Sequence, residues 1–352
     1  MITAIDFGHS HVKIVQAEQD GDGINIINIG CKPVIDDLNK FNIDDISKSH
    51  WVATIQDLCK EMGIIPKKVK NLITSLSGHH ISIKQLTTLE MEDEELVASL
   101  EFEAKKHIPL DGTEAILDYH ILGQNKDELD KNNVLLIATT KNTVTAHDSI
   151  IKTAGFKSGV FDADAIALSN AYIQNKELPE EGVDVIISIG NKTTTLLCWG
   201  KNHRFFVREL DIAGHHFTLA TMKSNNLNYE EAEALKIEKG IDAASASSTT
   251  NPEEHDPLAI KVAENTVYAD LVEELRKTLR YYMKTSNGAF FNKFYLCGGS
   301  GVTIGLKEFI ADNLNIDLEL FSPIDSLNNQ LEIDNPSQFA TVLGMAFRGM
   351  KN

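Results

Sequence analysis

The stretch Val183-Asp184-Val185-Ile186-Ile187-Ser188-Ile189-Gly190-Asn191-Lys192-Thr193-Thr194-Thr195-Leu196-Leu197-Cys198-Trp199 is two apolar runs of strand length around a short polar tip, Gly190-Asn191-Lys192. Runs rich in β-branched residues and bounded by glycine and asparagine predict strand, turn, strand. The same arrangement stands at the N-terminus, where residues 2–7 and 12–17 flank Gly8-His9-Ser10-His11. When one hairpin is laid over the other, Gly8 falls on Gly190, about half a chain away. That offset is expected of two similar domains facing each other across a cleft.

Composition sets the bounds around the hairpins. The 352 residues carry 33 Lys+Arg against 51 Asp+Glu, a formal net charge of −18, with 42% hydrophobic residues. At roughly 150 residues per domain, this length accommodates two domains with a substantial core, which excludes disorder as the overall state. An acidic field of that size repels phosphate at long range. It excludes unspecific binding to nucleic acid or anionic lipid and restricts an anionic ligand to a local site. No stretch approaches the ~20 apolar residues that span a bilayer. The first residues lack the basic and apolar regions of a secretion signal, so a cytoplasmic protein is expected. Cys31, Cys59, Cys198 and Cys297 are too far apart for a Cys-x-x-Cys metal or redox motif, and reduced thiols are expected.

Further strands are expected at 24–29, 72–76, 117–122, 134–139 and 294–297, and helices at 51–62, 93–107, 143–154, 165–175, 229–239 and 304–314. Asp93 and Asp164 are expected to cap their helices, and Gly155 to end one. Residues 124–133 read as a surface loop and 175–182 as a connection between lobes. Residues 242–256, rich in Ala, Ser and Thr, read as a mobile loop. Residues 258–284 read as one long or two consecutive amphipathic helices.

Three glycine-containing turns follow expected strands, at Gly8, at Gly190 and at Gly298-Gly299-Ser300-Gly301. Each can present backbone N–H groups to an anion, and the third is expected to open a helix whose dipole favours phosphate. No Gly-x-x-x-x-Gly-Lys-Ser/Thr motif exists, and Ile304 stands where a dinucleotide fingerprint needs its last glycine. Singly, each turn reads as structural; their order and spacing give them weight.

In that order the turns resemble those of the actin-like ATPase superfamily, and the resemblance spans almost the whole chain. Asp6-Phe7-Gly8-His9-Ser10-His11-Val12-Lys13 resembles its first phosphate loop, residues 188–194 with Gly190, Asn191, Lys192 and Thr193 its second, and residues 296–301 its adenosine loop. Residues 340–349 look like its closing helix. Glu233 and Lys236, one helical turn apart, resemble the pair that holds adenosine or ribose, although a solvated helix face would read the same way. Within the superfamily, residues 101–110, Arg208-Glu209-Leu210-Asp211-Ile212-Ala213-Gly214 and 340–348 are similar to the PilM family of the type IV pilus assembly platform. In that family's helix ending in aromatic-Ile-Pro, His107 replaces the aromatic residue.

The resemblance implies an α/β actin-like ATPase fold: two duplicated lobes around a nucleotide cleft, with an inserted subdomain of the type found in the division protein FtsA. The implied boundaries are 1–81, 158–182 and 336–352 for the first lobe and 82–157 for the insertion. The second lobe would take 183–222 and 278–335, with 223–277 as its smaller subdomain. ATP and Mg²⁺ are the implied ligands. Asp6 would orient Mg²⁺ through water, Ser10 and Lys13 would hold phosphate, and Gly8, His9, Gly214 and the other turn residues named above would complete the nucleotide site. In the second loop Ser188 stands where an acidic residue often helps hold the metal and attacking water. No catalytic side chain is assigned, Asp162 and Asp164 reading mainly as caps, and slow or negligible hydrolysis is expected.

The implied partner is the cytoplasmic N-terminal segment of a PilN-like membrane protein, bound in a groove between the first lobe and the insertion. Pilus motor ATPases are further candidate partners, and membrane contact would be indirect. An FtsA-like division scaffold is one alternative, against which counts the expected lack of an amphipathic tail, since the chain stops at Asn352. The other is a small-molecule kinase of the same superfamily, which needs a placed carboxylate base. The pairs His79-His80 and His215-His216, with His9 and His11, invite a metal reading, but no helical i, i+4 pair or carboxylate accompanies them; they read as surface or loop residues. Trp51 and Trp199 read as core.

Overall fold

The computed structural model describes residues 1–21, 23–106, 114–125, 128–244, 266–286, 288–328 and 332–350. Two five-stranded sheets share one plan. In the first, β1 (Ile2–Phe7) pairs antiparallel with β2 (His11–Asp20), which pairs with β3 (Gly23–Pro33); β4 (Leu72–Leu76) lies parallel to β1, and β8 (Val160–Ala163) lies parallel to β4. The elements between β4 and β8 are β5 (Ile81–Leu89), β6 (Ala115–Gln124) and β7 (Lys131–Thr140). In the second sheet, β9 (Val183–Ile189) pairs antiparallel with β10 (Thr194–Gly200), followed by β11 (His203–Leu210). β12 (Phe291–Cys297) lies parallel to β9, and β13 (Leu318–Leu320) parallel to β12. The orders β3-β2-β1-β4-β8 and β11-β10-β9-β12-β13 correspond strand for strand. The duplication read from the two hairpins therefore extends to both whole sheets.

Both sheets are covered on both faces, which is why β9 reads as an unbroken apolar run rather than an alternation. Val183, Val185, Ile187 and Ile189 point toward α7 (Val267–Thr285) and α8 (Leu306–Leu314), whose Leu271, Leu275 and Ile310 complete one core. Ile186 points the other way, into a core shared with α4 (Asp164–Asn175) and α9 (Ala340–Arg348). These two helices lie between the sheets. Their axes approach so closely that a Cβ on Gly344 would run into the carbonyl oxygen of Ala167. On the outer face of the first sheet sit α1 (Lys48–Glu61) and α3 (Lys141–Ala154), joined by Val52, Ile55, Leu58, Ile150 and Ile151.

The insertion has its own core. Leu96, Leu100 and Ala104 of α2 (Asp93–Ala104) pack on Val134, Leu136 and Ala138 of a sheet ordered β5-β7-β6. α3 falls within the span 82–157, but its buried side chains belong to the core of the first lobe. α7 likewise buries one continuous face against the second sheet, from Tyr268 to Tyr282. The insertion's β5 meets the second lobe, where Gln85 Oε1 accepts the Phe205 N–H at 2.7 Å. α5 (Gly214–Asn225) and α6 (Tyr229–Lys239) complete the second lobe.

Several local expectations are corrected. Glu92, not Asp93, precedes α2. α4 starts at Asp164 with Ala163 before it, so Asp164 is not a cap. α8 starts at Leu306 because Gly305, at φ +78°, turns the chain after the glycine loop; the loop therefore does not sit at a helix N-terminus. β6 extends to Gln124, and α3 begins at Lys141 on Thr140, whose hydroxyl accepts the Thr143 N–H. The segments 107–110, 245–256 and 258–265 lie outside the described residues.

Candidate functional site: a cleft between two matching turns

The equivalent hairpin turns, Gly8–His11 and Gly190–Thr193, face each other across a cleft of about 580 Å³. Their placement follows from the sheets, because β1 and β9 are the central strands of corresponding halves and each turn leaves the same end of its sheet. Asp6, Gly8, His9, Ser10 and Lys13 line one side of the cleft, and Gly190, Asn191, Lys192 and Thr193 the other. Glu233 and Lys236 flank the third turn, of which Gly298, Gly299 and Ser300 reach the cleft. Gly214 and Gly301 stand behind this wall and shape it. The Gly214 N–H donates to the Gly190 carbonyl at 3.1 Å, and the Gly301 N–H to that of Gly298 at 3.2 Å.

Asp6 and Lys13 are register partners across β1 and β2, and their side chains meet at 3.0 Å. Burial alone would lower the Lys13 pKa, but the charge and hydrogen bond of Asp6 outweigh it and raise it. The lysine therefore stays cationic at the head of the first turn. His9 is the reverse case. Burial, reinforced by the charge of Lys192 from the opposite turn, lowers its pKa to about 4, so the ring is neutral near pH 7. Gly8 is tight: a Cβ there would press on the His11 carbonyl oxygen. The third turn is tighter still, since Gly298 has φ +89° and a Cβ would strike the Ile189 carbonyl. The Ser300 N–H donates to that same carbonyl at 3.0 Å, locking the third turn onto β9.

The pair on α6 is built rather than merely solvated. Lys236 is almost fully buried and donates to Glu233 Oε2 at 2.6 Å and to Thr218 Oγ1 at 2.9 Å. Beside it, Ile237, Val302 and Ile304 line the cleft while remaining partly open to solvent. Exposed apolar side chains around a polar clamp suit a flat heteroaromatic ring.

The structure gives several residues places that the sequence does not show. Trp51 is not simply core: its indole N–H donates to the Gly8 carbonyl at 3.0 Å, and its ring meets His9 edge-on. Asp164 turns its carboxyl into the cleft and accepts from Ser75 Oγ. Burial and the nearby charge of Asp6 raise its pKa well above the ordinary carboxylate value. Asp162 instead pairs with Arg348 at 2.7 Å, away from the cleft lining. His215 and His216 are not loop residues but open α5, and His215 stacks on Tyr229. Among the described residues, no three His, Cys, Asp or Glu side chains converge as a metal site. A cation here would rest on Asp6 and on oxygens brought by the ligand and water, as suits Mg²⁺ shared with phosphates.

The family model for type IV pilus assembly protein PilM matches residues 4–350. The chain belongs to the PilM family. A structure of a PilM-PilN type IV pilus biogenesis complex superposes at TM-score 0.81, with 22% identity over 100% of this chain and 99% of that one. MreB5 of Spiroplasma citri bound to ADP superposes at TM-score 0.51, with 12% identity, over 100% and 98% of the two chains. Cell division protein FtsA of Bacillus subtilis (strain 168) is 22% identical over 98% of this chain and 82% of its own. The fold is thus the actin-like ATPase fold, and membership of the PilM family gives the chain a role in type IV pilus assembly. No helix among the described residues is long and apolar enough to cross a membrane.

Proposed function

We propose that the cleft binds ATP with Mg²⁺ and that this PilM family member works as a nucleotide-dependent scaffold of the pilus assembly platform. The observation that carries the reading is the convergence of two equivalent turns, from two equivalent sheets, on one cleft that also holds the Asp6–Lys13 pair. The glycine turns fit the group: Gly8 and Gly298 pack too tightly on the His11 and Ile189 carbonyls to admit a Cβ, and Gly299, which lines the cleft, has nothing within 4 Å of where its Cβ would stand, leaving backbone open to a ligand.

In this reading Lys13 and Ser10 hold phosphate oxygens, and backbone N–H groups of residues 191–193 hold them from the opposite lobe. Glu233 and Lys236 engage the ribose, with Ile237, Val302 and Ile304 against the base. Asp6 is the side chain that would hold Mg²⁺ through water; the bound cation would neutralise phosphate charge. Ser188 supplies no second carboxylate, and Asp164, favoured in its protonated form, is a poor base. Both features support slow turnover, which suits a protein whose output is its shape.

The proposed recruiter is the cytoplasmic N-terminal segment of a PilN-like membrane protein, which would bring the chain to the inner membrane. The insertion supports this with exposed apolar side chains, Phe102 on α2 and Ile121 and Leu122 on β6, an edge strand of its sheet. The test of the nucleotide reading is to denature fresh protein, identify released nucleotide, and titrate nucleotide-free protein with Mg-ATP beside Asp6→Ala and Lys13→Ala. Saturable binding lost in both variants is expected. Equal binding by wild type and variants would sink the site assignment.

A further inference from the structure

The segment after β3 does not stay with its own lobe. The Val34 N–H donates to the Ser10 carbonyl at 2.8 Å, fixing the start of the segment to the first turn. The chain then crosses the mouth of the cleft through two short 3-10 turns, Leu38–Lys40 and Ile43–Asp45. On the far side Phe41 packs on Tyr229 of α6, ring centroids 4.9 Å apart, and on His215 of α5 at 5.9 Å. Ile43 shares this cluster, and Asn39 donates to Glu230 at its edge. Between its two anchors, Ile35, Asp36 and Leu38 face the cleft, with Tyr229 and Glu233 opposite. The first and last anchors are thus a candidate phosphate turn and the helix that bears the Glu233–Lys236 clamp.

We propose that residues 34–46 form a strap across the mouth of the cleft, and that nucleotide exchanges only when Phe41 parts from Tyr229 and His215. The inference rests on the cleft being the nucleotide site. The strap covers the cleft along the Tyr229 edge of α6, so a ligand seated on Lys236 and Glu233 has the strap across that edge. The seam is aromatic and small, which makes it a contact able to open without unfolding either lobe. Retention is then set by the seam, while affinity is set by the turns beneath it. A barrier common to entry and exit slows both rates and leaves their ratio little changed.

The experiment measures association and dissociation of radiolabelled ATP with Mg²⁺, using full-length protein stripped of nucleotide and a chase of unlabelled ATP. Phe41→Ala should raise both rates about tenfold, equivalent to about 1.4 kcal/mol of barrier, with Kd within about threefold of wild type. Asn39→Ala, at an exposed position outside the core, should raise both rates about twofold. Unchanged rates in both variants would overturn the strap while leaving the nucleotide site standing. A rise in dissociation alone would also overturn it, by making Phe41 an ordinary ligand contact. If wild-type protein binds no ATP at millimolar concentration, the nucleotide reading fails and the strap falls with it. Amide exchange at residues 35–46, slowed by Mg-ATP in wild type, gives a readout independent of the variants; no slowing counts against the strap.

Discussion

The indole N–H of Trp51 donates to the carbonyl oxygen of Gly8 at 3.0 Å, tying the first turn of α1 to the first turn of the cleft. The bond fixes the peptide that follows Gly8 and so the direction in which the next N–H groups point. Trp51→Phe keeps most of the buried ring and deletes the donor, leaving a carbonyl without its partner. The expected result is a thermal midpoint within a few degrees of wild type and an ATP affinity about five- to tenfold weaker, consistent with roughly 1 kcal/mol for a neutral hydrogen bond. Calorimetry and a thermal melt read both numbers. An unchanged affinity would mean that the turn holds its geometry without the indole.

Asp164 and Asp6 crowd two carboxyl groups into one buried corner, and the Asp164 pKa rises as a result. Asp164→Asn replaces a group that favours its neutral form with one that is always neutral, and its side-chain oxygen can still accept from Ser75. Stability near neutral pH should therefore be unchanged or higher. Any residual ATP hydrolysis should change little, because a carboxyl held protonated is a poor base; a fall of about 100-fold would instead show that the carboxylate orients or activates water. A phosphate-release assay at saturating ATP, with a melt alongside, separates these effects. Equal hydrolysis in both proteins would remove Asp164 from the chemistry.

Adjacent glycines in the third turn offer an internal control. A Cβ on Gly298 meets a backbone oxygen at φ +89°, whereas one on Gly299 has nothing within 4 Å. Gly298→Ala should cost on the order of 1–3 kcal/mol of stability, and Gly299→Ala close to none. In ATP titration, weakening by Gly299→Ala without loss of stability would locate the ligand against that residue. Equal stability losses in denaturant melts would contradict the backbone geometry.

His9 links stability to pH. Its pKa is about 4 in the fold against 6.5 for an unperturbed histidine. Between those values the unfolded chain takes up a proton that the fold refuses, so stability is full above pH 6.5 and declines as pH falls toward 4. With allowance for partial solvent access, the His9 share is on the order of 2 kcal/mol. His11, His147 and His215 are shifted downward as well, so the slope has several contributors. Unfolding free energies of His9→Gln measured across this window should show a shallower slope than wild type; parallel curves would mean that His9 titrates normally.

The hairpins were legible because their signal is local: an apolar run, a glycine tip, an apolar run, all within one window. β11 and β5 escaped that signal. His203–Leu210 sets Phe205-Phe206-Val207 between the polar pairs His203-Arg204 and Arg208-Glu209, without period-2 alternation, and Ile81–Leu89 is mixed throughout because it is only half-buried. Both owe their strand state to neighbours distant in sequence. Asp164 was misread because a carboxylate just before an apolar helical run is the ordinary mark of a cap; only Ser75, far away on β4, reveals where the side chain turns. The same holds for Trp51 and Phe41. Each looks like a core aromatic; the packing of α1 on the first sheet sets Gly8 as the partner of Trp51, and the meeting of the lobes sets Tyr229 as that of Phe41.

The near-contact of Gly344 with Ala167 has a mechanical meaning. A helix pair packed backbone to backbone resists shear, because sliding would drive the Gly344 Cα into the next side chain along α4, but it tolerates torsion about its own contact line. α4 and α9 therefore have the build of an axle, about which the two sheets would swing much as covers swing on a spine. Any swing there would be amplified by the distance to the rim, separating the far ends of the lobes while leaving the centre of the molecule in place. A bulkier residue at position 344 would not merely loosen the core; it would move the pivot.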